Sequence, residues 1–307
     1  MKPKFLLSGG TNFSASTPFF YTLAVDQQYC HTGHMKEMHY LHLTESGWDG
    51  YRERLTAIPI TNRDDEKKPP MLKQWRWDTS EMSEYFQPPF TIEKYIKYHL
   101  HHWEYIKDDY QSCGDFSNSN GALPESFLIE LESRLSEHFD VKCVMMLRDP
   151  IRRLFSMQSN NVRFQNMIKK TDFSISHDAH PLFRKIPNIY PYKYQMHRLF
   201  SDYTTMCKRW KKVWGDRFYP VIMEEFWEDP SGLSEFLDYP ITKLSPNVFW
   251  PENQSNPIKH EFLQDQWRAQ KENISDVSLK MAKRRMKPIY DDFKEYMGYL
   301  PEAWHET

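Results

Sequence analysis

Long apolar runs are missing from this sequence: none approaches the roughly 18–20 residues that a membrane span requires. Cysteine is scarce, at four widely spaced residues (Cys30, Cys113, Cys143, Cys207) with no Cys-x-x-Cys pair. That spacing excludes a disulfide frame and a cysteine zinc site, and leaves reduced core thiols in a reducing compartment. Neither sign of charge is in excess. The 40 basic and 42 acidic residues give a formal net charge of −2, so nothing global draws the chain to nucleic acid or to an anionic membrane. The opening Met1-Lys2-Pro3-Lys4 has no secretory character and runs almost directly into a short strand. The expected location is therefore cytoplasmic, where triplets such as Asn273-Ile274-Ser275 would carry no glycan.

What is present suffices for one large core. Hydrophobic residues make up 39% of the 307 and aromatics 16%, while ten glycines and twenty prolines argue against low complexity. Strand-like and helix-like stretches alternate. Lys4–Ser8 reads as a strand, Thr17-Pro18 as a cap and first-turn proline opening a helix to about Tyr29, and His34–Leu41 as a second strand. Gly47–Ile58 and Thr91–Tyr110 read as helices, and Asp115-Phe116-Ser117 as the end of a short strand. Pro124–Phe139 is an amphipathic helix leading into the apolar run that ends before Arg148. Tyr192–Trp214 reads as a helix, Arg217–Glu224 as a strand, and helices complete the chain. This alternation predicts an α/β fold, a parallel sheet covered on both faces.

The richest segment is Val141–Ser156. An apolar run delivers Arg148 at its carboxyl end, Asp149-Pro150 closes the strand, and a helix then carries Arg153 and Ser156. A guanidinium fork, a second cation and a hydroxyl beside a helix N-terminus suit a phosphate or sulfate group. The first loop, Ser8-Gly9-Gly10-Thr11-Asn12-Phe13-Ser14-Ala15-Ser16-Thr17, offers backbone amides and hydroxyls that can surround an anion or simply cap a helix. It lacks the lysine of a Walker A loop, which argues against ATP or GTP hydrolysis. Glu37 and His39 stand two apart and would share one face of a strand. Such a pair suits proton abstraction beside charge stabilisation, and equally a solvated sheet edge. His99, His101 and His102 lack a partner at metal spacing and read as a surface helix.

In order and separation these blocks resemble those of sulfotransferases that use 3′-phosphoadenosine 5′-phosphosulfate (PAPS). The first loop resembles that family's 5′-phosphosulfate loop, and Arg148, Asp149, Pro150, Arg153 and Ser156 match its 3′-phosphate motif. Lys36-Glu37-Met38-His39-Tyr40-Leu41, followed by Gly47-Trp48-Asp49-Gly50-Tyr51, looks like the E-x-H-F-F…G-x-x-W-Y block of the heparan sulfate branch. Weaker likenesses fall at Gly114–Asn120, Tyr219–Pro230 and Arg284–Gly298, while stretches near 60–110 and 160–190 have no counterpart.

The resemblance implies the sulfotransferase fold, a P-loop-like parallel β-sheet flanked by helices on both faces, in a single domain spanning 1–307. It implies transfer of a sulfuryl group from PAPS to a hydroxyl or amine, without a metal. The acceptor would be a carbohydrate, another small molecule or a peptide. Glu37 would be the base and His39 a hydrogen-bond donor. Thr11, Asn12, Phe13, Ser14, Ala15, Ser16 and Thr17 would surround the 5′-phosphosulfate, and Arg148, Arg153 and Ser156 the 3′-phosphate, with Arg152 toward solvent. In one respect the chain departs from the family, which carries a lysine or arginine where Phe13 stands. That departure favours an alternative, a binding protein for PAPS or its bisphosphate product that engages glycan or protein without catalysis. The Glu37-x-His39 pair opposes it.

Overall fold

The computed structural model describes residues 2–10, 14, 19–20, 22–33, 37–46, 84–154, 156, 202–242 and 276–305. Its centre is β1 (Lys4–Gly10), whose last six residues are buried. A strand covered on both faces reads as a continuous apolar run, and β4 (Asp140–Leu147) does so from Cys143 onward. Alternate residues of these two strands enter different clusters. Phe5, Leu7, Cys143, Met145 and Leu147 join one core, and Leu6, Val144 and Met146 the other. The pleat thus divides one apolar run between two helical layers.

Five parallel strands lie in the order β2-β3-β1-β4-β5, with β2 at Cys30–His31, β3 at Ser112–Asp115 and β5 at Phe218–Ile222. Helices α1 (Tyr40–Ser46), α2 (Ile92–Ile106) and α3 (Glu125–His138) precede β4. After it come α4 (Tyr203–Trp214), α5 (Met223–Glu228), α6 (Ser231–Leu237), α7 (Asp276–Met297) and α8 (Glu302–His305). The chain builds β2 and β3 on one side of β1, then crosses to lay β4 and β5 on the other. The strand order therefore reverses between β1 and β4, the kind of switch point at which α/β sheets bind ligands.

Several expectations shift. The helix expected to run to about Tyr29 is represented by Phe19–Phe20 and a π-helical turn at Thr22–Asp26, and Gln28 takes a φ of 49° beyond it. Thr17 and Pro18 lie outside the described residues, as do Gly47–Ile58 and the first part of the helix expected from Tyr192. Of the strand expected at His34–Leu41, the described part is not one: residues 37–39 are irregular and Tyr40 begins α1, while His34–Lys36 lie outside the described residues. His39 has a φ of 55°, which extended backbone cannot accommodate. The strand expected to reach Glu224 stops at Ile222, so Glu224 rides on α5.

Two of the three histidines of α2 are buried, contrary to the surface helix expected. His99 and His102 share a buried stripe with Ile92, Tyr95, Ile96 and Ile106. The His99 ring meets Phe5, Tyr95 and Tyr98, and burial followed by the His102 charge pushes its imidazole well below the usual range. His102 Nε2 lies 2.5 Å from His31 Nδ1 on β2. All four cysteines are buried free thiols.

Candidate functional site

Arg148 leaves the carboxyl end of β4 half-buried, and its Nη1 donates to Ser156 Oγ at 3.0 Å. Its carbonyl accepts from the Tyr203 hydroxyl of α4 at 2.7 Å, which fixes the backbone as it turns out of the sheet. Burial pushes the guanidinium's pKa down, while the carboxylates of Glu224 and Asp149 act the other way. The guanidinium keeps its charge at neutral pH, as arginine does in proteins.

At the helix N-terminus beside it, two amides are already engaged by carboxylates. Asp149 Oδ1 accepts from Arg152 N at 2.8 Å, and Glu224 Oε1 accepts from Asp149 N at 3.1 Å. The Tyr290 hydroxyl donates to Asp149 Oδ2 at 3.1 Å, and Trp304 Nε1 to Glu224 Oε2 at 3.0 Å. Two carboxylates thus cap this helix start, as acidic side chains commonly do. An anion here would be held by the side chains of Arg148 and Ser156, a donor set that fits a phosphate. The neighbouring arginines also differ from expectation. Arg153 is 3% exposed and lies over the Tyr203 ring, 5.9 Å from its centroid. Arg152 is half-buried rather than solvent-facing, and its Nη2 donates to Ala303 O at 3.0 Å.

A second group of polar residues forms where α1 begins. Glu37 Oε2 and His39 Nε2 lie 3.6 Å apart, so the pair meets although no strand aligns it. What aligns it is the turn after β3. Asn118 Nδ2 donates to Glu37 Oε1 at 3.1 Å, Ser119 Oγ lies 2.8 Å from His39 Nδ1, and His39 N donates to Ser117 Oγ at 2.8 Å. Ser117 is itself anchored: its Oγ and N donate to Asp115 Oδ1 at 2.5 and 2.8 Å. Tyr95 closes this network through its hydroxyl on Asp115 Oδ2 at 3.0 Å. Burial pushes the Asp115 carboxyl up, against the donors that surround it.

Both groups sit at the carboxyl edge of the sheet. Asn120 Nδ2 donates to Ser8 O of β1 at 3.2 Å, and Gly121 packs so closely that an added Cβ would lie 2.5 Å from Gly10 O. Of the first loop, Ser14 is described and buried. Thr11, Asn12, Phe13, Ala15, Ser16 and Thr17 lie outside the described residues, as does Lys36. A separate pocket of about 430 Å³ opens beside α1, α2 and α3, with Glu45, Glu93 and Glu130 on its walls. Three carboxylates make it a poor home for an anionic nucleotide. Among the described residues no group of three His, Cys, Asp or Glu side chains is placed to hold a metal ion. Among the same residues no helix is long and apolar enough to cross a membrane.

Sequence reasoning missed Ser117, Asn118, Ser119, Tyr203, Glu224 and Tyr290. The run Ser117-Asn118-Ser119-Asn120 after a strand carried a signal, four small polar residues at a strand's carboxyl end. Glu224, which meets Asp149 across 75 positions, carried only the weak likeness of Tyr219–Pro230, which gave it no role.

By sequence, no family model and no characterised protein matches this chain. Solved structures do match in shape. A sulfotransferase from Alicyclobacillus acidocaldarius superposes with a TM-score of 0.51 at 12% identity, over 99% of both chains. The sulfotransferase domain from the curacin biosynthetic pathway gives 0.49 at 13%, over 98% of this chain and 99% of that one. The first of these shows that the five-stranded parallel α/β architecture is that of a sulfotransferase structure. Neither supports the narrower resemblance to the heparan sulfate branch.

Proposed function

We propose that this chain binds PAPS and transfers its sulfuryl group to an acceptor hydroxyl or amine, a carbohydrate being the acceptor class suggested by the Glu37-x-His39 block. The observation that carries the reading is the presence, on one edge of a sulfotransferase-like sheet, of both an anion pair and a proton-handling pair. Arg148 and Ser156 supply the first, Glu37 and His39 the second. Bound PAPS supplies an activated sulfuryl group whose transfer, like phosphoryl transfer, needs alignment and charge stabilisation more than covalent help.

The residues divide that work. Arg148 and Ser156 hold the 3′-phosphate, and the buried Ser14 lies on the loop that would meet the 5′ end. Glu37 accepts the proton of the acceptor, while His39 donates toward the oxygens that gain charge. Arg153, buried under Tyr203, supports the segment rather than touching the nucleotide.

Thermal unfolding with adenosine 3′,5′-bisphosphate tests this directly. At a concentration a hundred times Kd, ligand binding adds about 2.7 kcal/mol of stability, a rise of a few degrees in Tm for a chain of this size. Arg148→Ala is expected to abolish the rise. No rise in the parent protein overturns the proposed function.

A further inference from the structure

We propose that Asn118 and Ser119 are positioning residues for this transfer, Asn118 selecting which oxygen of Glu37 receives the proton and Ser119 setting the tautomer of His39. The inference rests on the proposed roles of Glu37 and His39.

A neutral imidazole has one N–H and one lone pair, so the partner of one nitrogen decides the state of the other. His39 Nε2 faces the Glu37 carboxylate at 3.6 Å. A lone pair there would oppose the carboxylate oxygen, whereas an N–H would favour it. Nδ1 must then be the acceptor, and Ser119 Oγ, at 2.8 Å, is the hydroxyl that donates to it. Ser117 does not compete for that role, because its hydroxyl is committed to Asp115 Oδ1 and its oxygen accepts from His39 N. Successive serines therefore hold the backbone and the ring of one residue whose φ is 55°. His42 is a further titratable group near this ring, and its own imidazole is pushed down by burial and then by His39.

Asn118 acts on the carboxylate. Its Nδ2 donates to Oε1 at 3.1 Å, while Oε2 is the oxygen that faces His39. A proton arriving on Oε1 would displace the charge-assisted hydrogen bond from Asn118, which turns protonation toward Oε2, whose contact with His39 Nε2 at 3.6 Å is longer than a hydrogen bond. The step is then defined by atoms. The acceptor O–H breaks and its proton goes to Oε2. The acceptor oxygen bonds to sulfur, and the S–O bond to the nucleotide breaks with its electron pair leaving on the bisphosphate. His39 Nε2–H stands beside the oxygen that takes the proton, where it can donate to the sulfuryl group. Both clamps come from the short turn Asn118–Ala122, which is braced on β1 through Asn120 and Ser8.

The test joins NMR to turnover. In the ¹⁵N-labelled protein, His39 is expected to show the Nε2–H tautomer, which Ser119→Ala converts to a mixture and Ser119→Thr preserves. The Asn118 side-chain amide protons are expected to move on Glu37→Gln. Turnover of labelled PAPS, with water and a set of sugars and amines as acceptors, is expected to fall on the order of 10- to 100-fold in Asn118→Ala through kcat. KM for PAPS and the Tm rise with adenosine 3′,5′-bisphosphate stay unchanged in that variant, which also shows that it folds. Unchanged His39 nitrogen shifts in Ser119→Ala, unmoved Asn118 amide protons, or full kcat in Asn118→Ala overturn the proposal. Parent-level turnover in Glu37→Gln would instead remove Glu37 as base, and the NMR readouts would still decide the His39 tautomer.

Discussion

At Arg148, burial and charge pull in opposite directions. Burial disfavours the cation, and Glu224 and Asp149 offset this in part, yet neither carboxylate occupies the hydrogen bond given to Ser156. Glu224 is tied instead to Asp149 N and Trp304 Nε1. The cation therefore sits near negative charge while its Nη1 edge turns to a neutral hydroxyl, a posture suited to an incoming phosphate. Glu37 shows the complementary case, with one carboxylate oxygen bound by Asn118 and the other beside His39. Glu37→Gln keeps the shape and removes the proposed base. It is expected to lower sulfate transfer on the order of 10²- to 10⁴-fold, with the Tm rise on adding adenosine 3′,5′-bisphosphate intact. Loss of that rise along with activity would assign Glu37 to binding instead. These four residues were legible because each pair lies within eight positions of sequence. Asn118, Ser119 and Glu224 were not, because their partners lie 81, 80 and 75 positions away.

Among the elements, the turn Asn118–Ala122 decides most. It touches β1 so closely that a Cβ on Gly121 would lie 2.5 Å from Gly10 O and 2.9 Å from Gly10 N. Backbone atoms cannot move aside as a side-chain tip can. Gly121→Ala is therefore expected to destabilise the protein by about 1–3 kcal/mol, as overpacked sites do. It should also lower activity, since Asn118 and Ser119 ride on the same turn. Gly232→Ala is the comparison, because its Cβ would meet the Tyr219 hydroxyl, the end of a half-buried side chain. Denaturant midpoints check this, and equal stability of the two variants would mean that the turn yields. The start of α1 carries the lesson about reading elements. His34–Leu41 alternates like a strand, but the left-handed φ at His39 redirects the chain, and Leu43 N then bonds back to His39 O. Three contacts from a turn some 80 positions later hold that conformation, and local periodicity holds no trace of them.

For the molecule as a whole, an acid response is expected from the core. His99 is fully buried among aromatic rings and its folded pKa is depressed, chiefly by burial. In the unfolded chain it would titrate near the ordinary histidine value of about 6.5. Below that pH the unfolded state binds a proton that the native state refuses, so stability falls as pH falls, toward the depressed folded value. One such proton costs about 1.4 kcal/mol per pH unit. Unfolding free energies measured between pH 7 and 5 are expected to drop in the parent and to drop less steeply in His99→Phe, which keeps a ring against Phe5 and Tyr95. Equal slopes would place the acid response elsewhere, with His42 next, its folded value also being lowered.

The sequence by itself determined the fold class and pointed to half of the candidate site. Alternating strands and helices, caps, and apolar runs long enough to be covered on both faces are local properties, and a parallel α/β sheet is their consequence. Arg148 with Ser156, and Glu37 with His39, were visible for the same reason. Only the tertiary structure decided that carboxylates cap the helix beside Arg148, that His99 and His102 are buried, and that a turn after β3 holds Glu37 and His39. The physical reason is that a buried polar group must find a partner, and the partner is whatever the packed fold brings near, at whatever distance along the chain.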